Sequence, residues 1–152
     1  MTTIAERIAK GEVTPPPIAK LLGFTTDHIE TGRCRIGFEA GAQHANPMGG
    51  LHGGVLCDIA DAAMGMAYAS TLAEGESFTT VELKINFLRP FKAGHLTAEG
   101  FVVNGGKTLG WTECEVRDDS GRLIAKAGST CMTLRPAAPK PELALLANGN
   151  RW

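Results

Sequence analysis

The sequence predicts an α+β fold in which an antiparallel sheet wraps around one long central helix. Three observations lead there. Between Val55 and Leu72, apolar residues fall on every side of a helical wheel: Leu56, Ile59, Ala60, Ala63, Met64, Ala67 and Tyr68 are joined by Val55, Ala62, Met66 and Leu72. That is the pattern of a helix covered nearly all round. Segments with period-two alternation flank it and are divided by hairpin punctuation. At 152 residues, 43% of them hydrophobic, the chain can close one core but not two comfortable ones. A sheet curled around that helix closes it.

Residues 2–10 carry charged and apolar side chains in a helical rhythm. GEVTPPP follows as a stiff connector that cannot be helical through its prolines, and IAKLLGF gives one or two further helical turns. From Thr25 the rhythm changes: TTDHIETG and RCRIGFEA read as two strands joined at Thr31-Gly32, with Cys34, Ile36, Phe38 and Ala40 alternating against Arg33, Arg35, Gly37 and Glu39. After the helix, TTVELKINFL sets Val81, Leu83, Ile85 and Phe87 on one face and Glu82, Lys84 and Asn86 on the other. HLTAEGFVVNGG, TLGWTECEVRDDSG and RLIAKAGSTCMTL complete a meander, divided by Asn104-Gly105-Gly106 and Asp118-Asp119-Ser120-Gly121. Three regions result: an N-terminal helical segment over 1–22, one domain over 23–135, and a loosely held tail rich in alanine and proline over 136–152.

Composition excludes several classes of function. Fifteen basic against 16 acidic residues, a net charge of -1, supply no field that would draw nucleic acid or an acidic membrane surface. The first ten residues lack the apolar run and cleavage site of a secretory signal. Asp58 and Asp61 interrupt the best candidate for a spanning helix. A soluble cytoplasmic protein is expected. Cys34, Cys57, Cys114 and Cys131 form no C-x-x-C pair and share no metal-ligand spacing with His28, His44, His52 or His95, so no metal is expected. The thiols read as small buried hydrophobes in a reducing compartment.

Chemistry concentrates between Asn46 and Gly65. Gly49, Gly50 and the run His52-Gly53-Gly54 stand where the helix should begin. The first amides of a helix lack intrahelical acceptors and carry the positive end of its dipole, so they can donate to an oxygen that gains negative charge. The same glycines also serve simply to shape a loop-to-helix turn. Two carboxylates follow in the most hydrophobic segment, where an ionised aspartate is costly without compensation. Asp58 lies about one turn into the helix, within reach of the dipole; Asp61 lies a turn farther on, where that stabilisation fades, and is the better candidate for a functional carboxylate.

The stretch His44–Gly65, H-x-N-P-x-G-x-x-H-G-G followed by V-L-x-x-x-x-D-x-A-x-G, resembles the hotdog-fold acyl-CoA thioesterases of the phenylacetate-degradation (PaaI-like) type. T-x-E-L-K-I-N-F-L-R-P, Thr80–Pro90, is similar to the strand that follows their helix. The resemblance covers roughly residues 20–135 and implies a sheet wrapped around one helix. It implies that Asp61 is the catalytic carboxylate, acting as general base on water or as nucleophile. The Gly53 amide would polarise the thioester carbonyl, with Gly54 beside it, and His52 would support the turn. Asn46 would orient water or thioester, and Thr80 would help place the water. Gly50 departs from the family, which commonly has threonine or serine there, and Asp58 is a charge where small or apolar residues are usual. Like charges three residues apart on a helix face each other, so Asp58 is expected to perturb the ionisation of Asp61.

Gly53 and Asp61 are eight residues apart, about 12 Å along a continuous helix, so one carbonyl cannot touch both. A two-fold dimer in which Gly53 of one chain faces Asp61 of the other resolves this, and the resemblance implies further pairing into a homotetramer. The phosphates of coenzyme A call for cations: Arg89, Lys92 and Lys107 are candidates, with Gly106 and Thr108 in a phosphate-cradling turn. Met48, Leu56, Met64 and Phe78 are candidates to line a pocket for an apolar or aryl acyl group. The leading expectation is hydrolysis of acyl-CoA without metal or organic cofactor. Its alternatives are a hotdog hydratase or dehydratase, which needs a histidine paired with the carboxylate, and a non-catalytic acyl-CoA-binding protein.

Overall fold

The computed structural model describes residues 7, 8 and 10–137. Most of the helix expected over 2–10, and the tail from residue 138, lie outside the described residues. The elements are α1 (Pro17–Leu22), β1 (Phe24–Glu30), β2 (Arg33–Ala40), a 3-10 turn (Ala42–His44), α2 (Gly53–Ala69), β3 (Ser77–Phe87), β4 (Gly94–Gly105), β5 (Leu109–Asp118) and β6 (Leu123–Leu134). All six strands form one antiparallel sheet in the order β1-β2-β4-β5-β6-β3. With one long helix packed on it, this is the α+β, hotdog-like architecture that the sequence predicts.

Local chemistry explains the elements. Proline occupies the first turn of α1, where its missing N–H costs nothing, and Ala19 on that helix joins the core. In β2 the alternation holds except at Gly37: Cys34, Ile36, Phe38 and Ala40 are buried and Arg33, Arg35 and Glu39 are exposed, but Gly37, expected outside, is buried where a Cβ would overlap the Asp27 carboxylate. The hairpins turn at Thr31-Gly32, at residues 106–108 and at residues 119–122, close to their expected places. Among the described residues no helix is long and apolar enough to cross a membrane.

The helix seats on the sheet at one point of backbone contact. A Cβ on Gly100 of β4 would overlap the Ala63 carbonyl group and stand 2.6 Å from the Met64 amide nitrogen. Cys34 and Cys114 flank Gly100 on the neighbouring strands, and both are fully buried. Small side chains on three adjacent strands thus let α2 sink into the sheet, and Ile59, Ala60, Ala63, Met64 and Ala67 bury completely against it.

Two expectations need correction. The helix ends at Ala69, so Leu72 lies beyond it, and α2 is not covered all round within one chain: Gly54, Asp58 and Asp61 are exposed, with Val55, Ala62 and Met66 half-buried nearby. Apolar composition concealed this open side because half-buried alanine, valine and methionine read like core. In β3 the strict alternation fails at a bulge between Thr80 and Glu82, which leaves Val81 exposed and reverses the parity of everything before it. Thr80 therefore shares a face with Leu83 and Ile85.

Gly100→Ala should destabilise the domain by about 3 kcal/mol, because the added methyl meets helix backbone that cannot rotate away. Chemical denaturation measures it, and a loss below about 0.5 kcal/mol, the scale of an ordinary surface change, would contradict the seat described.

Candidate active site

The entry to α2 is a loop in which nearly every polar group has a partner. The buried His44 ring accepts at Nδ1 from the Gly41 amide (3.0 Å), so its Nε2–H donates to the Leu22 carbonyl (3.0 Å). Its own carbonyl accepts from the His52 amide at 2.9 Å. Asn46 Oδ1 accepts from the amides of Met48 (3.0 Å) and Gly50 (3.1 Å), which fixes the amide's orientation and leaves Nδ2 free of the turn. Leu51 donates to the Phe91 carbonyl at 2.8 Å, tying the loop to the chain after β3.

His52 caps the helix. Its backbone is extended (φ -64°, ψ 131°), its Nδ1 accepts from the Gly54 amide at 2.9 Å, and its carbonyl accepts from Val55 at 3.0 Å. A helix start leaves four amides without intrahelical acceptors. Here those of His52, Gly54 and Val55 are satisfied. The Gly53 N–H alone has no acceptor among the described residues, and it stands at the positive end of the dipole. Gly53 lines a cleft of about 350 Å³ with Asn46, Gly50, Leu51, Leu56 and the run Phe87–Phe91. A Cβ on Gly53 would lie 2.8 Å from the Phe87 ring, so glycine lets that ring approach the free amide.

Asp61 sits outside this cleft, on the open side of α2. Its Oδ1 accepts from Thr80 Oγ1 at 3.3 Å, a contact that exists because the β3 bulge turns Thr80 toward the helix. Partial burial pushes the Asp61 carboxyl above the usual carboxylate range; the Thr80 hydrogen bond opposes this and the neighbouring Asp58 charge adds to it. Asp58 is exposed and makes no side-chain hydrogen bond among the described residues.

The structure thus gathers Asn46, Gly53 and Arg89 at one cleft, leaves His52 in the turn it caps, and pairs Asp61 with Thr80 about 12 Å along the helix. Other expected groups fall elsewhere. The Gly54 amide is committed to His52 and is not a free donor. Met48 is 91% exposed at the loop tip, and Met64 is fully buried core. Lys107 lines a separate cleft of about 160 Å³ past the C-terminal end of α2, with Tyr68, Leu72, Glu76 and Arg135. The Gly106 amide beside it donates to the Leu109 carbonyl (2.9 Å), and the Thr108 carbonyl accepts from Thr133 (2.7 Å), so the expected phosphate-cradling turn closes on itself. Sequence reasoning missed Phe91; its only signal was the Arg89-Pro90 break that precedes it. Phe87 was assigned to the inner face of its strand, yet it is 55% exposed and walls the cleft.

Comparison with known proteins adds an independent line. Residues 48–125 match the family described as the Thioesterase superfamily. A candidate esterase of Saccharolobus solfataricus, SSO2140, is 36% identical over 118 residues, 78% of this chain and 84% of that protein. Human acyl-coenzyme A thioesterase 13 is 26% identical over 133 residues, 86% of this chain and 94% of its own. Among solved structures, the PaaI protein of the E. coli phenylacetic acid degradation operon superposes with a TM-score of 0.78 at 27% identity, covering 86% of this chain and 93% of that one.

The raised carboxyl of Asp61 carries a stability signature. Below the usual carboxylate range the group is neutral folded and unfolded; as pH rises, the unfolded chain ionises first, and the folded state loses stability up to its own higher value. Asp61→Asn should therefore melt at a higher temperature than wild type at pH 7, with the advantage fading below about pH 4. Thermal melts across that range decide it, and a less stable variant at neutral pH refutes the assignment.

Proposed function

We propose that this chain, which belongs to the thioesterase superfamily, hydrolyses acyl-CoA thioesters at two equal sites shared across a homodimer. The observation that carries the reading is the division of the site along α2. The one free amide of the helix start and the hydroxyl-supported carboxylate stand too far apart to serve one carbonyl, and a two-fold partner supplies the missing half of each. Such dimers pairing again into a tetramer would be consistent with the same reading.

In the proposed reaction the thioester oxygen accepts from the Gly53 N–H, and the helix dipole stabilises the negative charge that develops on it. Asp61 of the partner subunit removes a proton from water as water attacks, or attacks the carbonyl itself; Thr80 holds that carboxylate by its hydroxyl. The C–S bond breaks and coenzyme A leaves: on the water route Asp61 returns to the sulfur the proton it took, and on the carboxylate route the thiolate takes its proton from solvent and water then hydrolyses the acyl–Asp61 anhydride to the free acid. His52 acts through the turn it caps, and Asn46, whose Nδ2 the turn does not use, lines the cleft beside Gly53. Arg89, exposed at the cleft and without an ion-pair partner among the described residues, suits a phosphate of the coenzyme tail. Leu56, Phe87 and Phe91 give that cleft an apolar wall. The chemistry calls on no metal or organic cofactor.

A panel of acyl-CoA substrates with a thiol-capture reagent tests this. Asp61→Asn should lower turnover at least about a hundredfold, as loss of a general base does, while Asp58→Asn keeps most of its rate. Equal losses would mean the carboxylates are wrongly ranked, and no coenzyme A released by wild type would favour an acyl-CoA-binding role. Gly53→Pro deletes the free amide at a first-turn position, preceded by a residue already in the extended conformation proline requires. It should cost about a hundredfold, whereas Gly53→Ala, which crowds Phe87 equally but keeps the N–H, should cost far less. Heterodimers of Asp61→Asn with Gly53→Pro should regain one working site; verified heterodimers without recovery would exclude the shared arrangement.

A further inference from the structure

The seam between α2 and β3 leads from Asp61 toward the second cleft, and one side chain closes it. Asp61 meets Thr80 at the near end. One helical turn on, the Phe78 ring packs over Gly65, where a Cβ would lie 3.3 Å from the ring's Cζ, and stands edge-on to Tyr68 with 5.6 Å between centroids. Beyond Tyr68 lies the cleft of about 160 Å³ reached by Leu72, Glu76 and Lys107. The contacts keep the same order on both elements: Asp61 and Gly65 on the helix run beside Thr80 and Phe78 on the strand, and Tyr68 meets the same ring from the side of the second cleft. Same-face neighbours on a strand are about 6.6 Å apart, so the stop stands one such step from the carboxylate's hydroxyl partner.

Resting on the reading that the thioester lies at Asp61, we propose that Phe78 sets the length of the acyl group, closing the seam so that the site takes short or compact chains and the cleft beyond stays out of reach. The acyl end belongs in this seam because Gly65 and the Phe78 ring that closes over it offer no partner for a phosphate. Arg89, without an ion-pair partner among the described residues, stands instead at the cleft around Gly53. Glycine at 65 is part of the device, since any Cβ would press the ring aside.

The test is the ratio of kcat/KM for long over short acyl-CoA, from butyryl to dodecanoyl, in methyl-ended and ω-carboxyl series, for wild type, Phe78→Ala and Phe78→Leu. The leucine variant keeps apolar filling should the alanine variant fail to fold. Opening the seam should raise the ratio at least about tenfold in one series or both. An unchanged ratio in both, in variants that retain wild-type circular dichroism, overturns the proposal and leaves Phe78 as packing. Non-hydrolysable thioether analogues titrated into Asp61→Asn, with and without Phe78→Ala, report chain-length preference without turnover. Should wild type release no coenzyme A at all, the thioesterase reading fails while this binding arm still decides the role of Phe78.

Discussion

The backbone contact between α2 and Gly100 is the constraint on which the rest depends. Sheets and helices normally keep a layer of side chains between them; here glycine, flanked by two buried cysteines, removes that layer over three strands. With the helix axis held that close, residues before and after the contact have fixed heights above the sheet. Ile59 and Met64 fill the space on one side, and Tyr68 lies over Gly110, a second position where a Cβ would overlap the ring. A helix on an ordinary cushion of leucines would carry Asp61 away from Thr80.

The site's electrostatics follow from what the fold leaves unpaired. Most of the loop's donors are spent on holding its shape, so the free Gly53 amide is a remainder that the geometry isolates rather than a group added to the fold. The carboxylate is placed on the opposite logic. It lies on the half-covered side of the helix, where desolvation and Asp58 work against its charge and a single hydroxyl works for it. Those opposing influences leave its proton affinity above that of a free side chain, the direction that the proposed general base calls for.

Much of this was legible before any coordinates. Strand order along the chain, the hairpins and the start of α2 follow from alternation, turn residues and glycine placement, and the sheet-around-helix arrangement follows from their sum. The candidacy of Asp61 was visible in the residues and sharpened by resemblance, while the role of His52 in the turn came from the resemblance alone. Other features were hidden for physical reasons. A bulge leaves the residue types of a perfect strand intact, so Val81 looked inward and Thr80 outward by parity. The open side of α2 depends on which strands cover it, and alanine or valine at 55 and 62 is compatible with either answer. Loop cations such as Arg89 and Lys107 carry no information about distance from each other, and the fold puts them at opposite ends of the helix.

Three of the four thiols acquire a meaning from their surroundings. Cys34 is pushed up to about 12 by burial and the nearby Asp27, and Cys114 is raised by burial as well. Cys57, half-buried one turn before Asp61, is raised by burial and by the charges of Asp58 and Asp61. Only a thiolate attacks a disulfide or an oxidant, so all three are poor partners for exchange near neutral pH. Shelter within the fold, reinforced at Cys57 by two neighbouring negative charges, thus leaves these sulfhydryls as quiet packing atoms rather than redox handles.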